Sequence, residues 1–348
     1  MKTPGSTKRS LATAGAAVLI GGAAWVWWSI PHSAIGPDRA PTAIPATTQV
    51  GTNPPSSGAP SDAGRVAAIL AELDSGKDAP TGQDFKVGPN GSLISAPTRR
   101  VMLLDELTRR DAKAAAAYAE KILRSFNSSD EWALALRAYA LANPTPEGRA
   151  FLAAKFREMV GHEAWRKDPS TGFLEAFDVA VHLGGTNLMP TLTELVRQPD
   201  NRAVSHAAYL ALDRLTISDP ISTLNNLLSQ PDALNGREVT RANLFARADV
   251  SNPQQKAILE NYLLSLAPGP AELQAFAGLY PNANYMVSDN LLTHVATPDR
   301  DWQVRHDREA LTLIESWEAD PRFNKLRPQL QEIKSRLSRF VQQAQPAP

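Results

Sequence analysis

Residues 218–266 read SDPISTLNNLLSQPDALNGREVTRANLFARADVSNPQQKAILENYLLSL. The stretch holds two similar starts, Ser218-Asp219-Pro220 and Ser251-Asn252-Pro253, 33 residues apart. Each sets a serine hydroxyl as the expected N-cap before a turn opened by Asp-Pro or Asn-Pro, and the missing N–H of proline is no loss in the first turn of a helix. Thr186-Asn187 lies 32 residues before Ser218 and offers a related start. Farther upstream, Thr145-Pro146-Glu147 repeats the device, and Asp111 suits the cap of DAKAAAAYAEKILRSF. From residue 97 onward apolar side chains recur three and four apart, which is the helical period.

A period near 33 has room for two helices and their turns, the spacing of an αα solenoid. The predicted pairs are 111–126 with 129–142, 145–162 with 170–183, 187–197 with 200–215, 219–229 with 236–248, and 253–266 with 270–280. A long element near 300–318 and a terminal helix from about 324 complete the chain. The expected fold is therefore all-α, a superhelical array similar in architecture to HEAT repeats. Stacked pairs bury a core that single helices cannot. Leu210, Leu212, Leu215, Ile258, Leu259, Tyr262, Leu263 and Leu266 are its expected occupants. In the terminal helix, Leu326, Leu330, Ile333, Leu337 and Phe340 fall at 4-3-4-3 spacing. Two heptads are too few for a coiled-coil seam, so the helix is expected to cap the array.

Upstream of the array, no charged residue occurs between Arg9 and Asp38, and Leu11 to Ile30 reads LATAGAAVLIGGAAWVWWSI. About 20 apolar residues are what a helix needs to cross a bilayer. Lys2, Lys8 and Arg9 precede the run, which predicts a cytoplasmic N-terminus (1–10) and a translocated body. The run is longer than a signal-peptide core, and bulky Trp27, Trp28 and Ile30 stand where cleavage needs small residues. Residues 11–30 are thus expected to be an uncleaved signal-anchor. Residues 31–60, rich in Pro, Ala, Thr and Ser, have too little apolar surface to fold and form a linker. The expected protein is single-pass in a bacterial inner membrane, with its helical domain (61–348) periplasmic. One break from helix is predicted near 85–95, where Pro89-Asn90-Gly91 separates short apolar runs as in a small hairpin.

Several chemistries are excluded. The chain has no cysteine, so thiolate metal sites and cysteine nucleophiles are ruled out. Lys+Arg and Asp+Glu each number 36, without the basic excess of a nucleic-acid binder. No Gly-rich phosphate loop, Gly-x-Ser-x-Gly elbow or His-Glu-x-x-His motif is present, and no cofactor is indicated. Glu158/His162 and Asp178/His182 are carboxylate–histidine pairs one helical turn apart. Such pairs can orient an imidazole for a metal or for acid–base work, and they also arise as ordinary helix-surface pairs. Candidate binding residues are Trp165 and Arg166 in one polar turn, and Tyr280 and Tyr285 flanking a Pro-Asn loop, because Trp, Tyr and Arg anchor interfaces.

The segment FKVGPNGSLISAPTRRVMLLDEL (85–107) follows an anchor and a Pro/Ala tether. In that layout it is similar to the membrane-bound lipase-specific foldases, which are steric chaperones of secreted lipases. Gly91, Leu93, Ile94, Arg100 and Asp105 echo the motifs of that family, but its Arg-x-x-Phe-Asp-Tyr sequence is absent. The long, Pro-poor, Glu/Gln/Arg-rich helices of the family are also missing. The expected role is a membrane-tethered scaffold that binds a protein or peptide on the concave surface of the array. A cell-envelope enzyme with its site in a groove, or a steric chaperone, is the alternative.

Overall fold

A computed structural model describes residues 62–198 and 201–344. The predicted cytoplasmic segment 1–10, span 11–30 and linker 31–60 lie outside the described residues. Among the described residues, no helix is long and apolar enough to cross a membrane.

The fold is all-α. Helix α1 (Asp62–Asp74) buries Ile69 and Leu73 and leads into a hairpin of β1 (Lys86–Val87) and β2 (Leu93–Ser95). The hairpin turns through Asn90 (φ 61°) and Gly91 (φ 73°), both left-handed, which suits Asn-Gly. Helix α2 (Arg99–Arg110) follows, capped by Thr98.

Five helix pairs come next. α3 (Ala112–Ile122) lies against α4 (Ser129–Ala142). α5 (Pro146–Gly161) is followed by the short α6 (Glu163–Lys167) and by a second helix in two pieces, α7 (Thr171–Glu175) and α8 (Asp178–Leu183). α9 (Met189–Arg197) pairs with α10 (Arg202–Ser218), and α11 (Pro220–Ser229) precedes α12 (Glu238–Phe245). α13 (Pro253–Asn261) runs on through a π-helical turn, Tyr262–Leu266, to α14 (Pro270–Leu279). A connector carries a second ribbon, β3 (Ser288–Asp289) with β4 (His294–Val295), before α15 (Arg300–Ala319) and α16 (Arg327–Gln343).

Second helices stack in chain order: α4 touches α7, α8 touches α10, α10 touches α12, α12 touches α14, and α14 touches α16. One continuous apolar core runs from Ile69 to Leu337. Leu212, Leu215, Ile258, Leu259, Tyr262 and Leu263 are buried as expected, whereas Leu210 and Leu266 are only partly so.

Buried ion pairs join neighbouring layers at about one repeat in sequence. Arg100 pairs with Glu131, Arg137 with Asp105, Arg247 with Asp213 and Arg241 with Glu272, at separations of 31, 32, 34 and 31 residues. Taking both charges out of water costs more than an exposed pair gains, so these sites hold only because further polar groups complete them. Tyr262 Oη donates to Glu272 at 2.8 Å, and Arg137 also donates to the Gly91 carbonyl.

Three expectations change. Asp219 and Asn252 cap their helices, rather than the serines before them: an Asx side chain one residue before Pro reaches the N3 amide (Ser222 for Asp219, Gln255 for Asn252), and Asn252 takes the N2 amide of Gln254 as well. Thr186 caps nothing: α9 starts at Met189 without a side-chain cap. The hairpin near 85–95 is present, and β3–β4 is a second ribbon beyond the one predicted.

Candidate functional site

Two features could meet a partner: the face formed by the second helices, and the edge where each pair turns from its first helix into its second. The first is covered by the chain itself. After α14 the connector, residues 281–298, passes back across α12, α10 and α8 to the hairpin. At α12 the Asn282 amide donates to the Ala246 carbonyl (2.8 Å), and the Asn282 side chain donates to Asn243 Oδ1 (2.8 Å). Arg247, held by Asp213, gives its other N–H groups to the carbonyls of Asn282 (3.2 Å) and Asn284 (3.0 Å). Arg214 of α10 reaches Ser288 Oγ at 3.1 Å. On α8, Asp178 accepts the amides of Leu292 (2.6 Å) and Thr293 (2.8 Å) and the Thr293 hydroxyl. At the far end the Leu291 carbonyl rests on Gly91, where a Cβ would approach it to 2.2 Å.

The turn edge is open. Between α10 and α12 lies a cavity of about 530 Å³ walled by Gln198, Arg202, Ser205, His206, Tyr209, Arg237 and Thr240. Gln198 also lines a cavity of about 410 Å³ with Glu163, Arg166, Lys167 and Asn201. Arg166 and Gln198 together line a third, of about 430 Å³, with Arg157, Thr191 and Glu194. Sharing these residues, the three cavities adjoin one another along three successive helix pairs and are taken together as the groove. Burial holds the Tyr209 phenol up to about 12, so it is a neutral donor at physiological pH. Arg166 donates from Nη1 to Gln198 Oε1 (3.2 Å), while its buried Nε has no partner. Arg202 and Arg237 have no side-chain partner among the described residues.

The four predicted binding residues separate into two sets. Arg166 lines the groove. Trp165 beside it turns inward, its ring within 4.5–5.6 Å of His162, Phe126 and Trp132. Tyr280 is fully buried and stacks on Phe276 (5.0 Å), its hydroxyl without a partner. Tyr285 is half-buried over the Arg247 guanidinium (5.3 Å) and lines a small cavity of about 120 Å³ with Asp249, Trp302 and His306.

In both carboxylate–histidine pairs the carboxylate bonds to a partner other than its histidine. Asp178 is occupied by the connector, and Glu158 takes Lys155 Nζ at 2.7 Å. His162 caps α6 through Trp165 N and stacks on Phe126. Among the described residues no set of three His, Asp or Glu side chains is placed to hold a metal ion. Arg100 and Asp105, which carry the foldase-like echo, serve the buried pairs with Glu131 and Arg137. Compared with known protein families, curated proteins and solved structures, the chain matches none.

Sequence reasoning missed Arg202, Arg237, His206 and Tyr209. The usable signal was a basic residue at each turn, with Arg166, Arg202 and Arg237 lying 36 and 35 residues apart.

Proposed function

We propose that this chain is a membrane-anchored, extracytoplasmic protein of HEAT-like build that binds a protein or peptide partner. The observation that supports this reading is the open groove of three joined cavities across three helix pairs. Stacked repeats present extended surfaces to extended ligands. Among the described residues the groove offers guanidinium, carboxamide, phenol and hydroxyl groups, and its carboxylates, Glu163 and Glu194, line other cavities than His206 does, which suits recognition. The connector adds to the argument. It is an extended segment held by side chains that take backbone N–H and C=O groups, which is how an array holds a peptide.

The test is site-specific photo-crosslinking in the full chain in its membrane. A photoreactive side chain at Lys167 or His206, in the groove, is expected to trap the same protein. One at Lys113, an exposed residue of α3, is expected to trap nothing in common with them. Indiscriminate or absent capture would count against the reading. Anchorage and orientation are tested in the same cells: protease added outside the inner membrane should remove the helical domain and spare a fragment containing residues 1–30.

A further inference from the structure

We propose that the groove takes an extended acidic segment of the partner, with one carboxylate per helix pair seated on Arg166, Arg202 and Arg237. This rests on the scaffold reading above and adds the chemistry and spacing of the ligand.

The three arginines all lie where the first helix of a pair passes into its second, in three successive pairs. Arg166 lies in the short α6 that links α5 to α7, five residues ahead of α7, whereas Arg202 is the first residue of α10 and Arg237 the N-cap residue of α12. Elsewhere in the array Arg100, Arg137, Arg241 and Arg247 are each matched by a carboxylate of the neighbouring layer. In the groove Arg202 and Arg237 are matched by none among the described residues, and Arg166 has only the neutral Gln198. No described carboxylate lines the cavity of about 530 Å³ that Arg202 and Arg237 share, and His206 adds an imidazole there. A guanidinium presents paired N–H groups that fit the two oxygens of a carboxylate.

A polypeptide suits the groove better than a phosphate polymer. Glu163 and Glu194 stand in the adjoining walls. They would repel a uniform polyanion, whereas each can accept a backbone N–H from a peptide. Tyr209 and Thr240 supply hydroxyls that can serve peptide carbonyls.

Spacing narrows the ligand further. Packed helices lie about 8–10 Å apart. A polyproline II segment rises ~3.1 Å per residue and returns to the same face every third residue, about 9 Å on. A β-strand returns to the same face every second residue, about 7 Å on, and falls out of step. The matching ligand therefore carries Glu or Asp at every third position.

The probe is a fluorescein-labelled peptide, (Glu-Pro-Ala) repeated four times, titrated with the full-length protein and followed by anisotropy. A second peptide has the same composition with its four Glu contiguous. The spaced peptide is expected to bind at least tenfold more tightly than the contiguous one, and to weaken at least tenfold in Arg202→Glu/Arg237→Glu. Arg202→Gln/Arg237→Gln should weaken it in the same direction, which covers a folding failure of the reversed pair. Charge reversal at Arg305 and Arg308, exposed on α15, should leave binding unchanged. No binding of the spaced peptide to the wild type overturns the proposal. So does equal binding of the contiguous peptide, or displacement by inorganic polyphosphate at matched charge. If the groove crosslinkers trap a partner whose capture ignores the Arg202/Arg237 variants, the acidic-ligand assignment fails while the scaffold reading stands. If they trap nothing, the scaffold reading itself fails.

Discussion

Among single residues, the strongest stability effects belong to charges held away from water. Asp105 and Arg137 are both nearly inaccessible, and burial pulls the Arg137 guanidinium below its usual range despite the facing carboxylate. Replacing Asp105 with Ala leaves a buried, uncompensated cation and removes the acceptor of the Leu93 amide. The expected cost is about 3–5 kcal/mol, seen as a lower urea midpoint at constant m. Asp105→Leu with Arg137→Met removes both charges and should recover most of that loss. His306 gives a pH prediction. It is buried, stacked on Trp302 at 4.8 Å, and neither ring nitrogen is bonded. Burial lowers its proton affinity below the usual 6.5, opposed by Asp249, Asp307 and Glu309. His182 is lowered for the same reason, and its neighbour Arg149 adds to the effect. With folded values below 6.5, the unfolded chain takes up protons first. Stability is thus full above pH 6.5 and declines as the pH falls below it, by at most ~1.4 kcal/mol per pH unit for each histidine. The melting temperature should drop between pH 7 and 5, and His306→Gln should drop less. Superimposable profiles for the two proteins would contradict this.

At the level of elements, the connector shows how tertiary ties decide what a segment without helical period will do. Gly91 carries two demands: a φ of 73°, and the Leu291 carbonyl 2.2 Å from where a Cβ would sit. Gly82 has nearly the same φ (72°) with open space around it. Gly82→Ala should therefore cost about 1 kcal/mol from backbone strain alone. Gly91→Ala should cost more and lift the connector, accelerating amide hydrogen exchange across 288–295 while α9 and α10 stay protected. Equal exchange in both variants would mean that the connector is not held at Gly91. The same comparison explains what was legible in the sequence. Helix pairs were, because apolar period, capping side chains and Pro are local signals that local hydrogen bonds obey, although Asp219 and Asn252 rather than the serines proved to be the caps. Second helix 170–183 emerged as α7 and α8, joined by tighter i→i+3 bonds such as Phe177 N to Leu174 O, which the apolar period does not distinguish. The connector was illegible because its partners are distant in the chain, from Arg247, 35 residues before Asn282, to Asp178 and Gly91, more than a hundred residues from Leu292 and Leu291. The groove was half legible. Arg166 stood out beside Trp165, yet Arg202 and Arg237 resemble any surface arginine until the array brings their turns to one edge.

Across the molecule, a stack of layers has two ends, and each must be closed by something apolar on one side and polar on the other. At the N-terminal end α1 and α2 close it, with Ile69, Leu73, Leu103 and Leu107 turned inward. At the C-terminal end the work falls to α16, which lies on α14 and α15. Leu330, Ile333 and Leu337 are buried, while Phe340, the last member of the 4-3-4-3 stripe, is 48% exposed. Arg336 donates to the carbonyls of Ala277, Gly278 and Tyr280, satisfying the open C-terminal end of α14. Burying three such aliphatic side chains stabilises by roughly 1.5–3 kcal/mol each. Their sum is comparable with the whole stability of a typical domain, about 5–15 kcal/mol. A chain ending at Leu326 should therefore bind the apolar dye ANS, aggregate at micromolar concentration and lose a sharp thermal transition. Phe340→Ala, which removes only an exposed ring, should stay within about 0.5 kcal/mol of wild type. The pair of variants also separates a cap from a coiled-coil seam. A seam would need Phe340 as fully as Leu337, and its loss would shift the sedimentation coefficient with concentration, whereas a cap gives the Phe340 variant the wild-type sedimentation profile.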